Sequence, residues 1–325
     1  MSGMPAAVGS SRLRALADRF RAGDVGALAQ VLTIVEAGGG PMEELLSLLP
    51  AAEPGTPTVG ITGPPGAGKS TLLDALVRLL RAGGRTVGVL AVDPSSPFTG
   101  GAFLGDRVRL SGHSTDPGVF IRSMGARGHA GGLSLAAADA LRVLRSFGFD
   151  EVLVETVGVG QSELALRSVV DTAVVVVPPG AGDRIQMAKA GIMEIADVFV
   201  VTKSDLPGAA RTAADLQGAV RLRAAGQWRP PVVATVATRP DDSHAALWQA
   251  VEQHRASLPG GTDRGRRPDA TAGVVADRVA ASARAWASEV LADDPVVRAM
   301  LEAGCPSGEV VRELCERLGL PGGTS

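Results

Sequence analysis

The chain has 325 residues, enough for about two domains at roughly 150 residues each. Its 32 basic and 34 acidic residues leave a net charge of −2, which excludes a bulk basic field for nucleic acid or an anionic membrane. Hydrophobic residues make up 45% and aromatics 3%, with no Tyr, so the core must be aliphatic and no tyrosine serves as acid, nucleophile or stacking platform.

Residues 11–49 read as helical. Leu13, Leu16, Ala17 and Phe20 keep a 3/4 spacing, Val25, Leu28, Ala29 and Leu32 repeat it, and Pro41 opens a further helix through Leu49. The Pro/Gly-rich LPAAEPGTPT then breaks the pattern. From Thr58 short β-branched runs alternate with helical stretches. Strands are predicted at Thr58–Thr62, Thr86–Val92, Val119–Arg122, Glu151–Glu155, Thr172–Val177, Val198–Thr202 and Val232–Val236. Helical patterns cover 69–82, 134–147, 162–169, 208–224 and 243–257. Runs such as AVVVV (173–177) do not alternate, as expected of strands covered on both faces. The expectation is an α/β fold with a mainly parallel sheet.

A second break, LPGGTDRGRRPD (258–269), reads as a solvated linker rather than a binding patch. Beyond it Thr271–Leu320 is helical in pattern, with Val275, Val279, Ala283, Trp286 and Val290 on one face. Such a tail is too thin to hold its own core and packs on the main domain or on a second copy. The expected division is therefore a helical extension over 1–55, an α/β domain over 56–258 and a helical tail over 259–325. Cys305 and Cys315 match no C-x-x-C pattern, the N-terminus lacks the apolar stretch of a secretory signal, and no apolar run approaches about 18–20 residues. These features fit a reduced, cytoplasmic setting without a membrane span.

Directly after the first predicted strand, Gly63-Pro64-Pro65-Gly66-Ala67-Gly68-Lys69-Ser70-Thr71 satisfies G-x-x-x-x-G-K-[ST]. The glycines let backbone N–H groups ring a β-phosphate, and a helix N-terminus adds its positive end. Lys69 reaches the β- and γ-phosphates and Ser70 offers a hydroxyl to Mg²⁺. Lysine is scarce: only Lys69, Lys189 and Lys203 occur among the 32 basic residues. All three fall in loops, or their flanks, on the nucleotide side.

Thr202-Lys203-Ser204-Asp205 ends a later predicted strand, where GTP-binding proteins carry Asn-Lys-x-Asp. The Asp205 carboxylate can accept from guanine N1–H and the 2-amino group, donors that adenine lacks, while the Lys203 stem covers the base. Thr202 replaces the Asn, so the contact that braces this loop is shortened or replaced. Val236-Ala237-Thr238 either presents a backbone N–H to guanine O6 or is an ordinary strand end. Asp93 closes the second predicted strand and Glu155 the fourth, each followed by a Gly-rich stretch that contains Asp106 or Gly158. A lone carboxylate at a strand end is often a cap. Two such ends facing one phosphate loop point instead to Mg²⁺, with Gly158 N–H on the γ-phosphate. His113, His129, His244 and His254 are dispersed and form no metal-like cluster.

Together, GPPGAGKST, VDPSSPFTGGAFLGDRVR, FIRSMGARGHAGGLS, VETVGVGQSE and PGAGDRIQMAKAGIMEIAD resemble the MeaB/ArgK family of P-loop GTPases, over about residues 56–258. The resemblance implies a homodimeric GTPase that uses GTP/GDP and Mg²⁺. Its tail would contribute to the dimer, and its partner would be an adenosylcobalamin-dependent acyl-CoA mutase whose cofactor loading it gates. It also implies that Asp93, Asp106 and Glu155 serve the Mg²⁺ and switch chemistry. Asp183, Gln186 and Lys189 would form a third switch. Val236-Ala237-Thr238 stands where Ser-Ala-Leu is typical of the family. The rival readings are a protein kinase acting on a transport-related binding protein, a metal-insertion GTPase, and a scaffold that binds GTP without useful hydrolysis. No Gln directly follows Gly158, and Gln161 lies three residues on, so slow intrinsic turnover is expected.

Overall fold

The computed structural model describes residues 9–50, 56–93, 111–113, 115–125, 135–156, 166–180, 193–223, 228–239, 242–258, 279, 283, 286–287 and 290–317. The chain forms two compact units, Met1–Ala270 and Thr271–Ser325.

The first unit begins with α1 (Ser10–Arg21), α2 (Val25–Ala37) and α3 (Gly40–Leu48). Leu13, Leu16, Ala17 and Phe20 are buried as their spacing predicts, and Pro41 lies in the first turn of α3. The buried stripe of α2 is displaced from the predicted one. Asp24 caps the helix by accepting from the N–H groups of Gly26 and Ala27, which leaves Val25 in the first turn and exposed; Leu28 and Leu32 are buried as predicted, joined by Ala27, Val31 and Val35, while Ala29 is only half-buried.

Seven strands follow: β1 (Thr58–Thr62), β2 (Val87–Asp93), β3 (Val119–Gly125), β4 (Glu151–Thr156), β5 (Thr172–Val177), β6 (Val198–Val201) and β7 (Val232–Ala234). They form one sheet in the order β3-β2-β4-β1-β5-β6-β7, and every pairing is parallel. Among the described residues, α4 (Lys69–Ala82), α5 (Leu135–Phe147) and α6 (Ala209–Arg221) lie between strands, and α7 (Asp242–Ala256) follows β7.

Period-two geometry divides the strands between two cores. Val59, Ile61, Val174, Val176, Val198 and Val200 pack with Leu72, Leu73 and Leu76 of α4 and Leu247 and Val251 of α7. On the other face Val152, Val154, Val175, Phe199 and Val201 pack with α1–α3, α5 and α6. The unbroken apolar runs are thus strands covered from both sides. Parallel pairing also gathers the carboxyl ends of all strands along one edge, where α/β proteins bind ligands.

The second unit contains α8 (Pro295–Glu302) and α9 (Ser307–Arg317). Asp294 caps α8 through the N–H groups of Val296 and Val297, and Arg317 of α9 returns to the same carboxylate at 2.6 Å. Val297 and Val310 are buried, but Val279, Val296 and Val311 remain more than half exposed. Cys305 and Cys315 are free thiols. Among the described residues no helix is long and apolar enough to cross a membrane.

Candidate nucleotide site

The loop after β1 has three glycines, Gly63, Gly66 and Gly68, whose backbone other residues adopt only with strain. Gly63 has φ +146°, and a Cβ there would lie 2.3 Å from the Val176 carbonyl oxygen of β5. Gly68, in the left-handed region at φ +90°, is the residue from which α4 starts. The loop therefore turns tightly against the sheet and delivers its chain directly into a helix N-terminus, the polarity that favours an anion.

Lys69 is the first residue of α4 and is 5% exposed. Its Nζ donates to the carbonyls of Gly63 at 2.9 Å and Pro64 at 3.1 Å, so the ammonium spans the loop. Ser70 follows, and its Oγ donates to Glu155 Oε1 at 2.8 Å. Glu155 reaches it because β4 lies beside β1 in parallel register, Ile61 opposite Glu155. One residue on, Thr156 Oγ1 donates to Thr62 Oγ1 at 3.1 Å. Asp93 is the last residue of β2, one step past the pairing of Val92 with Thr156; its side chain lies outside the described residues.

The loops after β6 and β7 complete the described edge. Thr202 is 1% exposed, and its Oγ1 donates to the Ala67 carbonyl at 2.6 Å. The brace anticipated at this position is therefore kept by a shorter side chain. Lys203 has φ +51°, the one non-glycine with positive φ among the described residues, and its Nζ donates to the Gly66 carbonyl at 2.9 Å. Strain at such a residue recurs at functional sites, and here it turns the chain out of β6 over the phosphate loop. Ser204 N–H donates to the Thr235 carbonyl, which joins the two loops, and Arg239 N–H donates to the Val236 carbonyl, which closes the turn through Ala237 and Thr238. Asp205 meets Arg239 across this junction, with Oδ2 and Nη2 3.8 Å apart.

The structure thus brings together the phosphate loop, Glu155, Thr202, Lys203, Asp205 and the 236–238 turn. Asp106, Gly158, Asp183, Gln186 and Lys189 lie outside the described residues. Arg122, one of several arginines that follow the second predicted strand, lies on β3 and donates to Glu36 of α2 at 2.6 Å. Sequence reasoning did not single out Thr62, Thr156 or Arg239. Arg239 carries no local sequence signal, because its place beside Asp205 depends on β6 and β7 being neighbours.

The donor set near Ser70 fits a hard divalent cation: a hydroxyl and a carboxylate, all oxygen, with the Thr156 hydroxyl next in the chain to Glu155 and bonded to that of Thr62. Among the described residues no group of three or more His, Cys, Asp or Glu could hold a metal.

Residues 28–289 match the family described as methylmalonyl Co-A mutase-associated GTPase MeaB. The chain belongs to the MeaB family. A "Putative GTPase" of Pyrococcus abyssi is 50% identical over 248 residues, 75% of this chain and 76% of its own length. A "Probable GTPase" of Mycobacterium tuberculosis is 38% identical over 97% of this chain and 96% of its own. Among solved structures, one titled "LAO/AO transport system kinase" superposes with a TM-score of 0.65 at 26% identity, over 96% of this chain and 99% of that one. The MeaB-family assignment makes the activity hydrolysis of GTP, and GTP and GDP the nucleotides bound.

Proposed function

We propose that this GTPase is a chaperone of an adenosylcobalamin-dependent acyl-CoA mutase, whose cofactor loading it gates and whose active form it protects. The observation that carries the reading is the Ser70–Glu155 hydrogen bond beside Lys69 and the phosphate loop, in a chain whose family is described as mutase-associated. That bond ties the nucleotide-binding helix to the root of the segment that follows β4, so a change at the phosphates is felt there.

In the proposed cycle the N–H groups of the 63–70 loop and the N-terminus of α4 receive the β-phosphate. Lys69 shifts from its carbonyl partners to phosphate oxygens and offsets the charge that develops as water attacks the γ-phosphorus in line. Ser70, with Asp93, Asp106 and Glu155, would hold Mg²⁺, which supplies Lewis-acid stabilisation of the phosphate oxygens when bound. Gly158 N–H senses the γ-phosphate, and Asp183, Gln186 and Lys189 carry that state to the mutase. Asp205 reads guanine, Lys203 covers the base, Thr202 braces the loop, and the turn at Val236, Ala237 and Thr238 faces O6. The working division is a helical extension over 1–55, the GTPase domain over 56–258 and a dimerising tail over 259–325, in a cytoplasmic homodimer.

The full chain should hydrolyse GTP slowly alone and at least about tenfold faster with its mutase, a gain within what a supplied charge or positioned water provides. Lys69→Ala should abolish both rates. A mutase that leaves the rate unchanged, and that is not retained by the chain loaded with a non-hydrolysable GTP analogue, would sink the chaperone reading while leaving hydrolysis intact.

A further inference from the structure

Asp205 and Arg239 meet because of how two neighbouring strands end. β6 and β7 are parallel, with Val201 level with Ala234. Four residues beyond Val201 stands Asp205, and five beyond Ala234 stands Arg239. Both overhangs are held in place: Ser204 N–H donates to the Thr235 carbonyl and Arg239 N–H to the Val236 carbonyl, and the Thr235 and Ser243 hydroxyls, the latter on α7, pair at 2.8 Å. The side-chain pair therefore stands on a fixed base.

Other groups nearby are committed or unsuited. Lys203, two residues from Asp205, gives its ammonium to the Gly66 carbonyl. Val236, which opens the facing turn, has no side-chain donor. Among the described residues Arg239 is the cation in ion-pair range of Asp205. At 3.8 Å the contact is an ion pair and not a hydrogen bond, so both carboxylate oxygens keep their lone pairs for other donors.

We propose that Arg239 is a specificity-determining positioning residue for guanine, acting through Asp205 without touching the base. The inference rests on the reading of Asp205 as the guanine-binding carboxylate. In water the pair is weak, since the Arg239 side chain is 63% and the Asp205 side chain 37% exposed. A purine laid over Asp205 excludes water from the carboxylate, and the same pair strengthens as the local dielectric falls. The guanidinium thus holds the base-facing carboxylate in place most strongly when guanine N1–H and the 2-amino group are donating to it. Its contribution appears in nucleotide affinity and base choice, and hardly in the stability of the fold.

The test is a double-mutant cycle on the full chain, read by titration with a fluorescent N-methylanthraniloyl GDP and by competition with unlabelled GDP and ADP. Arg239→Ala should weaken GDP about fivefold, the range of a partly screened pair, and leave ADP within twofold. Arg239→Lys should recover most of the loss. In an Asp205→Asn background the Arg239→Ala step should change GDP affinity less than twofold, because the carboxylate charge it acts on is gone. An equal loss in both backgrounds, an equal loss for ADP, unchanged GDP affinity or tighter GDP binding would each overturn the proposal. If Asp205→Asn alone left GDP affinity unaltered, the base-reading role of Asp205 would fall, a result distinct from failure at Arg239.

Discussion

At the scale of single residues, a methyl group at position 63 is the sharpest probe of the phosphate loop. A Cβ there would stand 2.3 Å from the Val176 carbonyl, a backbone atom of a central strand that cannot step aside, at a φ that side chains rarely adopt. Gly63→Ala should cost on the order of 2–4 kcal/mol in urea unfolding, combining backbone strain with overpacking, and should abolish guanine-nucleotide binding. A variant that unfolds with the wild type would show that the loop can reposition. Lys69, Ser70 and Glu155 were legible from the chain because a short motif fixes their spacing and a carboxylate closes a predicted strand. Arg239 was not. Its role depends on β6 and β7 being neighbours and on two overhangs of nearly equal length, which no local pattern encodes.

Elements show the same division. β1 and β5 have the predicted limits, because β-branched runs bounded by Gly, Pro or Asp leave little freedom at their ends. β6 stops one residue short of the predicted Thr202, whose hydroxyl turns to the Ala67 carbonyl before Lys203 enters its left-handed conformation. The strand order, with β1 between β4 and β5, rests on pairings more than a hundred residues apart in places, such as Val59 with Thr172, and lies beyond periodicity. One element end carries a pH dependence. Asp116, just before β3, is held below its ordinary 3.8, first by the side-chain hydrogen bonds from Arg81 of α4 and then by the Gly118 N–H. A depressed carboxyl stabilises the fold above its unfolded value and loses that contribution as pH falls through the folded one. Asp116→Asn should therefore lower the melting temperature at pH 7, and the gap to the wild type should close progressively below pH 3.8. A gap independent of pH would assign the effect to packing.

For the molecule as a whole, the second unit leaves apolar side chains uncovered. Val279 is 63%, Val296 54% and Val311 51% exposed. Under the proposed homodimer these residues meet a second copy. The full chain should sediment as a dimer, and Val296→Asp combined with Val311→Asp should yield a folded monomer that still binds GDP. A dimer that survived both charges would move the interface elsewhere. Lysine is rare across the chain, and the two described lysines rest their ammonium groups on carbonyls of the same loop, Lys69 buried and Lys203 exposed. A reagent that acylates amines therefore meets few targets on this protein. Bound phosphates would draw Lys69 from its carbonyls and a bound base would shade Lys203, so the pattern of modified amines becomes a chemical record of whether the site is filled.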